Sequence, residues 1–157
     1  MNTPVCGGQG EKFMRKRLAL QAVRLLVSAN LLYAAIFLKF AGVPGSVALF
    51  NQMSHAVHEL ISQPVFRLGS GVFETVMAVL LLIPKTARLA AELIVMWMTA
   101  VILSHIFVLG YGPFFVDALM VMLLAVIYLA LTRPHLGSQW LWRLSHSTRP
   151  QTPHGEV

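Results

Sequence analysis

Charge is scarce in this sequence: Asp, Glu, Lys and Arg make up 11% of 157 residues, where a soluble domain carries about a quarter. With 57% apolar residues and a mean hydropathy of +0.70, the soluble class is excluded and the polytopic membrane class is indicated. Cysteine is nearly absent. The single Cys6 lies in a polar amino-terminal tail, which excludes an internal disulfide and any C-x-x-C centre for thiol exchange or zinc. No phosphate-binding loop, nucleophile elbow, haem motif or zinc motif is present in the sequence.

Proline is missing from the places where it would do most harm. Pro44, Pro64, Pro84, Pro113 and Pro134 all fall between or just beyond four apolar runs, where a fixed φ and a missing N–H are tolerated. Those runs cover roughly residues 18–41, 65–83, 87–109 and 114–131. Each is longer than an ordinary strand and lacks period-two alternation, so the sequence predicts four transmembrane helices. The fold class expected is an all-α four-helix bundle spanning residues 18–133, with a basic tail at 1–17 and a polar, disordered tail at 134–157. Trp140 and Trp142 stand in that second tail as interface-type aromatics.

Basic residues outnumber acidic ones, 12 against 6, and their placement is more informative than the net charge of +6. Lys12, Arg15, Lys16, Arg17 and Arg24 precede or begin the first run, Lys85 and Arg88 flank the turn between the second and third, and Arg133, Arg143 and Arg149 follow the fourth. Only Lys39 and Arg67 fall on the other side. The asymmetry places both termini and the middle turn in the cytoplasm. It also explains the basic composition without a nucleic-acid partner. A cleaved signal peptide is the rival reading of the first run. The run's length, Arg24 within it and Lys39 after it favour a retained span.

Between the first two spans, residues 46–62 carry Val47, Leu49, Phe50, Met53, Val57, Leu60 and Ile61 on one face at 100° per residue, and Asn51, Gln52, His55, His58 and Glu59 on the other. A short interfacial amphipathic helix is expected there. His55 and His58 are weak metal candidates at i, i+3, without a second cluster, and a polar helix face is the ordinary reading.

Few ionisable residues lie inside the runs. Arg67 and Glu74 are seven positions apart, nearly one face of a helix and about 10 Å along it, with Gly69, Ser70 and Gly71 between them suited to close helix packing. Glu74 is about a third of the way into its span, where an unpaired charge is costly, so it is expected to face the bundle interior. Lys39, Arg67, Glu74, His105 and Asp117 come from all four spans at similar depth and form a candidate polar pocket near the outer face. Each also has a plain structural reading. Lys39 and Arg67 can snorkel, Asp117 can sit on a helix dipole, His105 can be a packed, hydrogen-bonded ring, and Glu74 can be half of a register-fixing ion pair. Arg88 and Glu92 form a local i, i+4 pair, and Trp97 reads as a lipid or core contact.

The segments "AIFLKFAGVPG", "RLGSGVFETVMAVLLLIPKTARLAA" and "MTAVILSH" resemble the DoxX-like family of small four-span membrane proteins. The matching features are the K-F-x-G end of the first span, the Gly71 and Glu74 spacing, the L-L-I-P turn and His105, over roughly residues 18–133. The resemblance implies an inner-membrane protein whose polar positions would be Lys39, Glu74 and His105. It assigns no catalytic residue. Relatives are linked to the small subunit of a thiosulfate:quinone oxidoreductase and to oxidative-stress complexes, whereas cysteine-pair chemistry is not matched. The expected function is a non-catalytic accessory subunit or assembly partner of a membrane complex. The alternatives are a subunit binding a quinone or other small molecule, and a small permease or lipid-handling protein. Against a permease, no span is interrupted by Gly and Pro in paired halves.

Overall fold

The computed structural model describes residues 8–132, and every regular element among them is helical. Helix α1 runs over Gly8–Tyr33 and continues without a break into a π-helical turn, Ala34–Phe40. Helix α2 spans Pro44–Ala56, and α3 spans Gln63–Leu82. Helix α4 covers Ala87–Ser104 and ends in a second π turn, His105–Leu109, and α5 covers Pro113–Thr132. Four stretches are long and apolar enough to cross a bilayer: Gly10–Phe40, Gln63–Leu82, Ala87–Leu109 and Pro113–Thr132. The expectations for Cys6, Trp140, Trp142 and the 134–157 tail lie outside the described residues.

The four long helices form a closed ring. Helix α1 packs on α3 and α5, and α4 packs on the same two from the opposite side. Their shared core holds Val27, Leu31, Met77, Ile94 and Val121, each no more than 2% exposed. Ala87, Ala90 and Ala91 on α4 and Ala118 and Ala125 on α5 are buried alongside them. Small side chains at these positions let backbones approach closely where lipid supplies no hydrophobic drive between helices. The outward faces carry large apolar residues such as Leu25, Val76, Met96, Phe107 and Leu123, all exposed. A surface of that kind fits the acyl chains of a bilayer.

Helix α1 begins ten residues before the apolar run. Its first turns are polar but helix-forming: Arg15 donates to Glu11 at 2.6 Å, one turn away, and the Arg17 guanidinium lies 4.3 Å from the centre of the Phe13 ring. With 26 α-helical and 7 π-helical residues, the rod is about 50 Å long, well beyond the ~30 Å hydrocarbon layer. Its basic first turns are therefore not needed to cross that layer.

The helix ends have specific causes. Gly42 and Gly110 adopt φ of +66° and +76° just after the two π turns, a backbone region that glycine enters without penalty. Arg24 reaches across from α1 to the last residues of α3. Its Nε donates to the Leu81 carbonyl at 2.9 Å, and its Nη2 donates to the Leu82 carbonyl. These carbonyls have no partner within their own helix, so an arginine that reads in sequence as an orientation signal also caps α3.

Helix α2 is shorter than the 46–62 pattern suggests. It stops at Ala56, and His58 and Glu59 take φ of +53° and +58° in the turn that follows. Glu59 N–H closes that turn onto the Ser54 carbonyl at 2.8 Å, and Ser54 Oγ donates to the Ile61 carbonyl at 2.8 Å. Leu60 and Ile61 therefore leave the helix face and are exposed. The side of α2 that is buried carries Ser46, Phe50 and Ser54 and lies on α3 and on the π turns of α1 and α4. The helix thus covers one end of the ring.

Candidate functional site

Glu74 lies near the middle of α3 and is 3% exposed. One turn earlier, Gly71 leaves no room for a side chain. A Cβ there would come within 2.9 Å of the Phe40 ring and 3.2 Å of Lys39 Cβ. This close approach of α1 to α3 brings the Lys39 ammonium onto the Glu74 carboxylate, where Nζ and Oε1 form an ion pair. Trp97 of α4 adds a second donor, its Nε1–H meeting the same oxygen at 3.2 Å. The Trp97 ring is held by Phe73, with centroids 4.6 Å apart. Oε1 is thus shared by two donors. Oε2 is buried and has no hydrogen-bond partner among the described residues.

The pair faces a partly open cavity of about 310 Å³ lined by residues of α1, α2, α3, α4 and α5 and of both π turns. That volume is at the lower end of small-molecule sites. Most of the wall is apolar, with Leu31, Phe50, Met53, Met98, Val101 and Val121 among its contributors. Polar groups enter from each long helix. Asn30 Nδ2 donates to Asp117 Oδ1 at 2.8 Å across the α1–α5 contact, and both residues line the space. His105 is 4% exposed and also lines it. Its Nδ1 lies 3.0 Å from the Gly110 carbonyl. A carbonyl oxygen only accepts, so Nδ1 carries the proton, and in the neutral ring Nε2 is left as an acceptor.

Lys39 and His105 both sit in π turns, at the same end of the bundle. A π turn inserts one extra residue into the helical register, and such bulges occur frequently at functional sites. Here each rotates a polar side chain inward at the end covered by α2.

Lys39, Glu74, His105 and Asp117 thus meet around one cavity, and Arg67 does not join them. Its guanidinium lies instead under the Gly42 turn, where a Cβ built on Gly42 would be 3.1 Å from Nη1. Arg67 Nε and Nη1 are buried without a hydrogen-bond partner among the described residues. Sharing a face with Glu74 is not enough. Depth does not separate the two, because Phe66, one residue before Arg67, lines the cavity; the Arg67 side chain turns instead to the 41–43 connection. The three small residues also divide. Gly71 and Ser70 are buried, and Ser70 Oγ donates to the Arg67 carbonyl at 2.8 Å, whereas Gly69 faces outward with nothing within 4 Å of an added Cβ. His55 Nδ1 is 3.0 Å from Glu59 Oε1 on the surface. No group of three His, Cys, Asp or Glu side chains suited to a metal occurs among the described residues.

Three residues have roles that the sequence reading did not assign. Trp97 binds the carboxylate rather than serving only as a lipid or core contact, Asn30 binds Asp117, and Arg24 caps α3. Asn30 carried a signal of its own, a lone amide in the apolar stretch "LLVSANLLY", since such groups need a partner within the bilayer. Trp97 carried none, because tryptophan is equally at home against lipid.

Four apolar rods and an apolar exterior suited to lipid define a multi-pass integral membrane protein built as a four-helix bundle. No protein-family model, curated protein or solved structure matches this chain.

Proposed function

We propose that this protein is a small-molecule-binding, non-catalytic component of a membrane complex, and that its ligand occupies the cavity among the four spans. The observation that carries this reading is the cavity itself: about 310 Å³ of mostly apolar space with a buried ion pair and a buried imidazole in its wall. Sites for apolar ligands combine an apolar wall with a few convergent polar groups that fix orientation. A purely structural ion pair would not need a cavity beside it. With the termini in the cytoplasm, as the basic residues indicate, the cavity lies in the outer half of the inner membrane. The similarity of the "AIFLKFAGVPG" and "RLGSGVFETV" segments to DoxX-like proteins supports a place beside an oxidoreductase, where a quinone is one candidate ligand.

The binding test uses the purified protein in nanodiscs and 4-hexylphenol as a neutral apolar probe. A ligand that binds only the folded state raises the melting temperature in a saturable way. The rise is expected for the wild type and should vanish for Ala118→Phe, which fills the cavity from α5. Equal shifts in both proteins, or none in either, would refute binding in this space. For membership of a complex, purification from native membranes in mild detergent should recover a stoichiometric partner. A solitary protein under those conditions would leave a binding protein that acts alone.

A further inference from the structure

The polar groups around the cavity differ in what they still have to offer. Glu74 Oε1 is saturated by Lys39 and Trp97, while Oε2 is buried with no partner among the described residues. A carboxylate oxygen left without a donor in a water-poor interior is destabilising by itself. The torsion that turns a Glu carboxylate is soft, so a slight rotation presents Oε2 at the cavity wall that Glu74 helps to form. His105 stands in the same wall, with Nδ1–H on the Gly110 carbonyl and Nε2 as its other ring nitrogen. Lys39 is the counterpart, because its ammonium has three N–H groups and Glu74 is its only ion-pair partner among the described residues. A donor and an unfilled acceptor therefore stand side by side at one end of an apolar space.

We infer that the ligand is an uncharged, mainly apolar molecule bearing a hydroxyl, which donates its O–H to Glu74 Oε2 and accepts an N–H from Lys39. The inference rests on the binding role proposed above and narrows it to a chemical class. A hydroxyl is the smallest neutral group that both donates and accepts. A ketone or an ether satisfies only Lys39 and leaves Oε2 bare. An ammonium satisfies Oε2 but brings a positive charge beside Lys39. A carboxylate or phosphate brings negative charge against Glu74. Of a quinone and its reduced partner, the dihydroxy form fits these groups and the dione does not. No bond is made or broken in binding, so the residues need only hold the hydroxyl in place.

The test compares 4-hexylphenol with 4-hexylanisole, identical apart from methylation of the hydroxyl, at matched mole fraction in nanodiscs. In the wild type the phenol should bind at least about tenfold more tightly, the usual consequence of leaving a buried acceptor unpaired. The double variant Lys39→Met with Glu74→Gln removes both charges together. Its glutamine oxygen stays on Trp97, and its NH2 takes the place of Oε2. That group donates to either probe, so the phenol preference should collapse to nearly one. Should the double variant fail to fold, infrared difference spectra of Asp117→Asn, which leaves Glu74 as the one carboxylate lining the cavity, decide the matter, because phenol but not anisole should shift a carboxylate stretch. Equal binding of both probes to the wild type would overturn the hydroxyl inference and leave the cavity reading intact. A phenol preference that persists in a folded double variant, or no carboxylate shift with bound phenol, would overturn the assignment to Glu74. Failure of both probes to bind would instead remove the cavity reading on which the inference rests.

Discussion

The Lys39–Glu74 pair gives the most quantitative prediction, because its two members have different ways out of trouble when the partner is lost. Glu74 lies eleven residues after Gln63, the start of α3, about 16 Å along the axis, and is 3% exposed. Lys39 is one residue from the end of its π turn and has a long flexible stem. Removing one partner of a buried pair usually destabilises by about 3–5 kcal/mol, because the other charge is stranded. In Glu74→Gln the stranded charge is Lys39, which can snorkel toward the headgroups; the cost should be near ~2 kcal/mol. In Lys39→Met the stranded charge is Glu74, which has no such route, and the cost should reach ~3–4 kcal/mol. Removing both should cost under about 1 kcal/mol, since no charge is stranded and the glutamine amide keeps its bond from Trp97. Reversible unfolding in mixed detergent micelles, followed by helicity, measures all four corners of this cycle. Two features are expected: Lys39→Met is the worse single change, and the double variant is more stable than either single one. Additive single effects would mean that the groups do not interact, and the account of the site would be wrong.

Other consequences follow from individual contacts. Gly71→Ala drives a Cβ against Phe40 and Lys39 Cβ and should destabilise by about 1–3 kcal/mol, whereas Gly69→Ala meets nothing and should stabilise α3 by up to about 1 kcal/mol. The melting temperatures of the two variants should move in opposite directions. Arg24→Met removes both hydrogen bonds to the Leu81 and Leu82 carbonyls and should cost about 1–2 kcal/mol. Arg24→Lys should recover only part of that in the same unfolding assay, because an ammonium cannot span the two carbonyls as a planar fork does. Trp97→Phe keeps an aromatic ring against Phe73 but deletes the N–H to Glu74; a loss of about 1 kcal/mol, read by the same unfolding, is expected.

The spans were legible because a bilayer imposes its own thickness on apolar runs, and prolines mark the gaps between them. Helix α1 outran its hydropathy signal for a simple reason: Arg15, Lys16 and Arg17 favour helix but not lipid, so a window that scores transfer into hydrocarbon stops where the helix does not. In the same way, α2 ended early where the backbone at His58 and Glu59 turned left-handed. Periodicity cannot register such a turn, since neither residue is a glycine. Depth was the useful coordinate for the site. It grouped Lys39, Glu74, His105 and Asp117 although they come from four separate helices. It misled for Arg67, whose side chain turns to the Gly42 connection although its neighbour Phe66 lines the cavity. The two π turns were invisible to pattern reading, since the i→i+5 register depends on tertiary packing rather than on residue type.

The most direct measurement is fluorescence quenching of Trp97 in a Trp140→Phe, Trp142→Phe background, using a brominated alkylphenol in nanodiscs. Trp97 lines the cavity and donates to Glu74, so quenching should saturate at low probe content and be reversed by unbrominated phenol. Quenching that rises linearly without saturation, and resembles that from a lipid brominated in its chains, would show that the probe meets Trp97 only from the bilayer and that the interior holds no ligand.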